Sequence, residues 1–208
     1  MLYVFIPYWL EDTPEFKKSL ESQTFKDYRV IRRNRKQDKI LWTRAVNDFW
    51  RESFRWCGAF DNDIVVIMNN DIQFDEYLFA ELRNIKGVWA AEGIKLDWQN
   101  KKITYTHFDA NTFLGHLFAM PLKDFQDSGG FCKLLPHALA DLDFGLRQKS
   151  ITFIFNGFHH PEHSYEPISN WSLRSYKNPI IWTIFLLRHP NKYTFINILK
   201  AWYDGLFR

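Results

Sequence analysis

The stretch Ile64-Val65-Val66-Ile67-Met68-Asn69-Asn70-Asp71-Ile72 decides the fold class. Its first residues are apolar and mostly β-branched, and they run without a polar break. They stop abruptly at two amides and a carboxylate. A continuous apolar run of this kind suits a strand buried on both faces of a sheet. The polar cluster then stands at the strand's carboxyl end. In open α/β sheets that edge is where ligands bind. The reading is therefore a central strand that delivers Asp71 to a site.

Working outward, the flanks alternate between strand and helix patterns. Residues 2–6 read as a buried strand ended by Pro7. Thr13-Pro14-Glu15 is a helix start: a cap, a proline at the first helical position, then an acid in the first turn. Residues 28–31 read as a second short strand. Trp42, Ala45, Val46, Phe49 and Trp50 follow helical spacing and place a helix over 41–57. After the central strand, a helix is expected over 74–84 and strands over 88–91, 103–107 and 114–120. Ser128-Gly129-Gly130 reads as a turn, 138–149 as a helix and 151–155 as a strand. This alternation predicts an α/β fold with a largely parallel sheet.

The composition shifts near Trp171. Asn178-Pro179 starts a helix and His189-Pro190 breaks it. Phe195, Ile198, Leu199, Trp202 and Leu206 mark an amphipathic helix to the end. Residues 174–208 hold six Lys or Arg against one acid, Asp204. Residues 1–170 are thus read as the main domain. Residues 171–208 are read as a basic helical extension, packed on it or on a membrane surface.

At 208 residues the chain fits one domain with a small appendage. Hydrophobic content of 46% and charged content of 25% are those of a folded protein. The 20 Phe, 9 Tyr and 9 Trp are an unusual aromatic load, part core and part available to a groove or membrane surface. A net charge of +3 does not support a nucleic-acid binder. Cys57 and Cys132 are far apart and lack metal spacing, so neither a disulfide framework nor a zinc site is expected. A reducing cytoplasm, with the inner membrane face as an option, is the simplest setting. The first residues lack a basic region and a long apolar run, so they do not read as a signal peptide. The apolar run 180–187 is too short to span a bilayer.

Six pieces of the chain, taken in order, resemble family-2 glycosyltransferases of the GT-A fold, the non-processive rhamnosyl-, galactosyl- or glucosyltransferase kind. They are Val4-Phe5-Ile6-Pro7-Tyr8, Ser19-Leu20-Glu21-Ser22-Gln23-Thr24-Phe25, Ala45-Val46-Asn47, and Val66-Ile67-Met68-Asn69-Asn70-Asp71. Gly129-Gly130-Phe131 and Asp141-Leu142-Asp143-Phe144-Gly145-Leu146-Arg147 complete the set. The resemblance covers roughly residues 2–165. It implies a Rossmann-like, mostly parallel central sheet flanked by helices, here with a C-terminal helical tail.

The resemblance also implies a chemistry: transfer of a sugar from a nucleotide diphosphate to an acceptor hydroxyl, with inversion. The leaving diphosphate needs charge neutralisation, usually by Mn²⁺ or Mg²⁺ on oxygen ligands. Asp71 matches the metal ligand, and Asn69 and Asn70 match ribose or phosphate contacts. Asp141 matches the general base that takes the acceptor proton. The glutamate that precedes it in the family is Ala140 here. Asp143 and Arg147 lie four apart and are read as a local ion pair that orients the helix. His160, or else His163, matches a histidine that binds metal or phosphate. Pro7 and Tyr8 match the first-strand end that holds base and ribose, and Arg44 stands where it can approach phosphate. The second strand departs from the pattern: Arg32-Arg33-Asn34-Arg35-Lys36 stands where an aspartate is usual, with Asp38 beyond.

The implied partners are a nucleotide-diphosphate sugar and a glycan or lipid-linked acceptor in surface polysaccharide or glycolipid synthesis. Two rivals belong to other classes. A sugar nucleotidyltransferase would want a glycine-rich basic loop after the first strand, and Pro7-Tyr8-Trp9-Leu10 has no glycine. A catalytically silent module would keep the fold and hold glycans or nucleotides on its aromatics.

Overall fold

The structure, a computed structural model, describes residues 1–56, 62–100, 102–106, 109–136, 138–153, 158–159 and 172–207. In chain order the first half runs β1 (Leu2–Tyr8), α1 (Pro14–Glu21), β2 (Tyr28–Asn34), α2 (Arg35–Asp38), α3 (Trp42–Trp56), β3 (Ile64–Met68), β4 (Gln73–Phe74) and α4 (Leu78–Leu82). Then follow β5 (Val88–Ala90), β6 (Gly93–Asp97), β7 (Lys102–Tyr105), β8 (Thr112–Phe113), β9 (Leu117–Pro121), α5 (Leu122–Asp127), α6 (Ala140–Leu146), β10 (Ile151–Phe153) and β11 (Phe158–His159). Two helices close the chain, α7 (Pro179–Arg188) and α8 (Thr194–Phe207).

The central sheet has six strands in the order β2-β1-β3-β9-β5-β10. β1 pairs in parallel with β2 and β3, and β5 with β10. β9 alone runs against its neighbours β3 and β5. The expected mostly parallel α/β sheet with a helical tail is what the chain forms.

β3 lies inside this sheet and its five side chains are all buried. Val65 and Ile67 join the core on one face, and Ile64, Val66 and Met68 the core on the other. Alternate residues of a strand face opposite sides, so a strand with a core on each side needs apolar residues at every position. Each such side chain contributes about 1.5–3 kcal/mol on burial. This is the physical content of the unbroken run.

Several boundaries differ from the sequence pattern. The helix expected over 74–84 shrinks to α4, because Gln73 and Phe74 pair as β4 with β11. Asp75 then accepts from the backbone N–H of Tyr77 at 2.9 Å, an Asx turn that delays the helix. β2 runs to Asn34, so part of the basic stretch is strand. Asn34 caps α2, and Lys39 ends it in the left-handed region. The strand expected over 114–120 begins only at Leu117, as β9, after the Gly115-His116 turn. The helix expected from 138 begins at Ala140, because Leu139 adopts φ 62°.

The C-terminal helices share the main core. Ile181, Trp182, Phe185 and Leu186 of α7 and Ala201 of α8 lie in the same apolar cluster as β3 and α3. Trp98 stacks on Phe185 with ring centroids 6.0 Å apart. On α8 the inward residues are small or polar: Asn197 and Ala201 are buried, and a Cβ on Gly205 would meet Pro179 at 2.8 Å. Most of the apolar stripe points outward. Phe195, Leu199, Trp202 and Leu206 are exposed, and only Ile198 of that stripe is partly buried against the core. Among the described residues no helix is long and apolar enough to cross a membrane.

Candidate active site

The carboxyl ends of β1 and β3 sit side by side, because Leu2 to Phe5 pair with Ile64 to Ile67 in register. Asn69, Asn70 and Asp71 leave the sheet there. Asn69 donates its backbone N–H to His116 O at 2.8 Å, and its side-chain oxygen accepts from Trp42 Nε1 at 3.2 Å. Asn70 is buried and turns its amide inward, donating to Leu10 O at 2.8 Å and to Asp12 Oδ1 at 3.0 Å. The loop after β1 is thereby clipped to the end of β3. Asp71 follows, partly exposed, within the electrostatic reach of His116 and Arg35.

The second half of the site is Asp141, in the first turn of α6. Its two oxygens accept one backbone N–H each, from Gly115 at 3.1 Å and from Leu142 at 2.9 Å. A carboxylate oxygen has two lone pairs, so each keeps one for a further donor. The side chain retains some solvent access but is densely surrounded by protein. Burial raises the carboxyl above its ordinary range, outweighing the two backbone bonds and the nearby charge of His116.

One turn, Gly115-His116, touches both halves. Gly115 N–H donates to Asp141, and His116 O accepts from Asn69. Trp42 backs the same turn: a Cβ on Gly115 would meet its ring at 3.0 Å and Asp141 Cβ at 3.3 Å. Only a glycine lets the tryptophan and the carboxylate approach this closely.

His116 itself was not anticipated from the sequence. Its Nδ1 lies 2.6 Å from Glu92 Oε2, with both side chains 23% exposed. Burial alone would lower the imidazole pKa. The hydrogen bond and charge of Glu92, with the fields of Asp141 and Asp71, overcome that and raise it. The two acids of the site thus favour the charged form of this imidazole. The signal in the sequence was weak, a lone histidine between two short strands.

The motifs around Asp141 turn out to hold it in place. Asn47 donates to Phe131 O at 3.0 Å and accepts from Phe131 N–H at 2.8 Å, both bonds buried. This two-way amide clasp explains Ala45-Val46-Asn47 and Gly129-Gly130-Phe131 together. Gly130 has φ +72° and would drive a Cβ to 2.7 Å from Asn47 Oδ1. Arg147 donates to Ser128 O at 2.9 Å and Gly130 O at 2.7 Å, so α6 grips the same loop. Asp143 is fully buried and collects Arg147, Arg188 and His189 at 3.2, 2.6 and 3.1 Å. The expected ion pair is thus part of a larger cluster that joins α6 to α7. Burial would raise the Asp143 carboxyl, but bonds from His189 and Arg188 and the arginine charges hold it below the ordinary range. Ala140 is fully buried, so it offers no group to a ligand.

The remaining sequence candidates are spread more widely. Pro7 is buried, with its carbonyl accepting from Arg35 Nε at 2.8 Å, and Tyr8 lies half-buried beside it. Arg44 is exposed on α3 and pairs with Asp48 at 3.0 Å, one turn along its own helix. Within the basic run, Arg32 makes a two-point bond to Asp12 at 2.8 and 2.6 Å, and Arg33 pairs with Asp38. Burial would raise Asp12, but Arg32 and Asn70 hold it low. An acid from the first loop, Asp12, thus stands at the β2 edge against Arg32. His160 and His163 lie outside the described residues.

Among the described residues no group of three or more His, Cys, Asp or Glu could cage a metal ion. At the β3 end Asp71 offers its carboxylate, while the Asp12 carboxylate beside it is engaged by Asn70 and Arg32. Mg²⁺ and Mn²⁺ at phosphate sites commonly use one or two protein carboxylates and take their other oxygens from phosphate and water. The donor set fits that mode and no fuller cage.

Two solved structures share this fold. One is the mannosyltransferase PcManGT from Pyrobaculum calidifontis, in complex with GDP-Man and Mn²⁺. It is 14% identical, with a TM-score of 0.54 over 99% of this chain and 70% of that one. The other is S. aureus TarS 1-349 in complex with UDP-GlcNAc. It is 11% identical, with a TM-score of 0.51 over 98% of this chain and 72% of that one. At these identities the likeness is one of fold. No protein-family model matches the chain. No curated protein sequence matches it.

Proposed function

We propose that the protein is an inverting glycosyltransferase of the family-2 kind, moving a hexose from a nucleotide diphosphate to an acceptor hydroxyl. The observation that carries this reading is the Gly115-His116 turn, which ties Asp141 to the Asn69–Asp71 end of β3. Asp141 and Asp71 both act on His116, which supports reading Asp141 as the base and Asp71 as the metal or phosphate contact of one site. The shared fold with a mannosyltransferase solved with GDP-Man and Mn²⁺ supports it.

In the reaction the acceptor oxygen attacks the anomeric carbon from the side opposite the leaving group. The bond from that carbon to the diphosphate breaks, and the nucleoside diphosphate departs with the electron pair. Asp141 takes the hydroxyl proton on a free lone pair. Pro7, Tyr8 and Asn69 line the donor side, Asn70 shapes its loop, and Asp71 would hold Mn²⁺ or Mg²⁺. The cation, when bound, neutralises charge on the leaving diphosphate.

A thermal-shift screen of nucleoside diphosphates, with and without Mn²⁺, tests the reading. One base should stabilise the protein selectively, because a ligand that binds only the folded state raises its stability. Donor hydrolysis should follow for the matching sugar nucleotide and fall away in Asp71→Ala. Equal, negligible turnover in both proteins across a full panel would leave the silent binding module as the better account.

The acceptor side of the proposal is a lipid-linked glycan at an anionic membrane surface. It rests on α8, whose outward Phe195, Ile196, Leu199, Trp202, Tyr203 and Leu206 form an exposed apolar face. Apolar faces of this kind lie in the headgroup boundary of bilayers. Two of the tail's cations face inward, Arg188 onto Asp143 and Arg174 onto Trp9. Attachment therefore depends on apolar area more than on charge. The protein should float with vesicles containing phosphatidylglycerol, and added salt should weaken this only modestly. The variant Phe195→Ser/Leu199→Ser should lose at least about tenfold in partition, since burying each side chain contributes on the order of 1 kcal/mol or more. Wild type that stays unbound, or a variant that floats equally, would remove the membrane from the proposal.

A further inference from the structure

Three aromatic and basic side chains meet at the carboxyl end of β1. Trp9 follows the strand. Arg174 Cζ lies 4.6 Å from the centre of its ring and Arg35 Cζ lies 5.7 Å from it. Arg35 opens α2 and anchors its Nε on Pro7 O at 2.8 Å. Arg174 arrives from the segment before α7, about 140 residues later in the chain by number (174 against 35).

The two guanidinium groups differ from six other arginines of the fold. Arg32, Arg33, Arg44, Arg51, Arg147 and Arg188 each stand against a carboxylate. Among the described residues neither Arg35 nor Arg174 has a carboxylate ion pair. They stand close enough to repel: burial and then the Arg174 charge pull the Arg35 pKa down to about 10, with Asp71 opposing. Arg35 therefore remains a cation at neutral pH. Holding two like charges together on one indole is unfavourable until an anion lies between them. Trp9 offsets part of that by cation–π contact and fixes where the planes stand. The planar fork of a guanidinium matches phosphate oxygens two at a time.

We infer that Arg35 and Arg174, gathered on Trp9, form a clamp for a diphosphate group. The inference rests on the donor reading above, and gives the leaving diphosphate a protein-borne positive charge beside Asp71. It also explains why one carboxylate suffices at the β3 end: the arginines share the neutralisation that a fuller metal site would supply. The C-terminal segment then belongs to the donor site through Arg174, as well as to the scaffold of Asp141 through Arg188 and His189.

The test uses the full chain, EDTA throughout, and titration with inorganic pyrophosphate, followed by calorimetry. Wild type should bind pyrophosphate without metal and bind inorganic phosphate more weakly. Arg174→Gln should weaken pyrophosphate about tenfold or more, as loss of a charge-assisted fork requires. Arg174→Lys, which keeps the charge and loses the fork, should fall between, and Lys123→Gln on the remote α5 should change nothing. Unliganded melting temperatures of the variants report whether they fold. Wild type that fails to bind pyrophosphate in EDTA, or folded Arg174 variants that bind it as wild type does, would overturn the clamp. The two readings separate cleanly. Arg174-dependent pyrophosphate binding with no sugar nucleotide bound at all keeps the clamp and sinks the donor reading. A sugar nucleotide bound equally by wild type and Arg174→Gln does the reverse.

Discussion

Asp143→Ala is expected to lower stability by about 3–5 kcal/mol, the usual cost of removing one partner from a buried ion cluster. For a domain of this size that is a drop of roughly 10 °C in melting temperature. Asp143 has no exposed surface, while Arg147 and Arg188 keep 29% and 35% of theirs. The arginines can relax toward water, which places the effect near the lower end of the range. The imidazole of His189 loses its acceptor as well. Because the Asp143 carboxyl is held below its ordinary range, its contribution is complete above about pH 4 and is lost as pH falls through the depressed value. The variant should therefore show a flatter acid dependence of stability than wild type, measured by urea unfolding across pH 3 to 7. A melting point within a degree of wild type would mean that the cluster does not hold α7 to α6.

That cluster shows where sequence reading reaches its limit. The spacing of Asp143 and Arg147 announces a pair on one helix face, since residues four apart on a helix are neighbours. Nothing local announces Arg188 and His189, some 45 residues away, because the approach of α7 is a matter of tertiary packing. The same holds for Asn47 and Phe131. Each motif was visible, and the clasp between them was not. β3 was legible because burial on both faces forces an unbroken apolar run. β8 was not, because two residues leave no period to read, whereas in β6 the alternation of Ile94, Lys95, Leu96 and Asp97 was there to read. The stripe on α8 was visible as a pattern, but its direction was not. Gly205 and Ala201 let α8 approach α7 closely with its small face, and this turns the large residues outward.

Within the site, Asp71 and Asp141 stand out in the sequence as acids at the end of a strand and the start of a helix. His116 and Glu92 do not, because a pairing between two connecting turns leaves no spacing rule. Arg35 and Arg174 look alike in the sequence to the arginines around them. Only the ion pairs of the folded chain separate those that are neutralised from those that gather on Trp9.

Asp141→Asn is expected to reduce sugar transfer by about 10²- to 10⁴-fold, the range associated with loss of a positioned general base. Its fold should survive. An asparagine oxygen can still accept from one of the two N–H groups of Gly115 and Leu142, so the cost should stay near 1 kcal/mol. This contrasts with Asp143→Ala and would separate the acid proposed as catalytic from a structural one on the same helix. The pH dependence supplies a second readout. Burial raises the Asp141 carboxyl, so the acid limb of wild-type activity should lie above the ordinary aspartate value of about 3.9. A carboxyl with a raised folded pKa favours the fold while protonated, and that contribution is lost as pH rises through the folded value. On the proposed role, the site would be most active in the ionised state, which stabilises the fold least. The positive charge of His116 works against the burial shift. Removing it by His116→Gln should move the acid limb to still higher pH, while Asp141→Asn should abolish the limb altogether. His116 is itself raised by Glu92 and the two acids, so its own stabilising charge is complete below about pH 6.5 and fades as pH climbs through the raised value. Steady-state transfer measured from pH 4 to 9 in the three proteins decides the matter. Activity in Asp141→Asn within tenfold of wild type would take the base role away from this residue. An acid limb unmoved by His116→Gln would mean that the imidazole does not act on it.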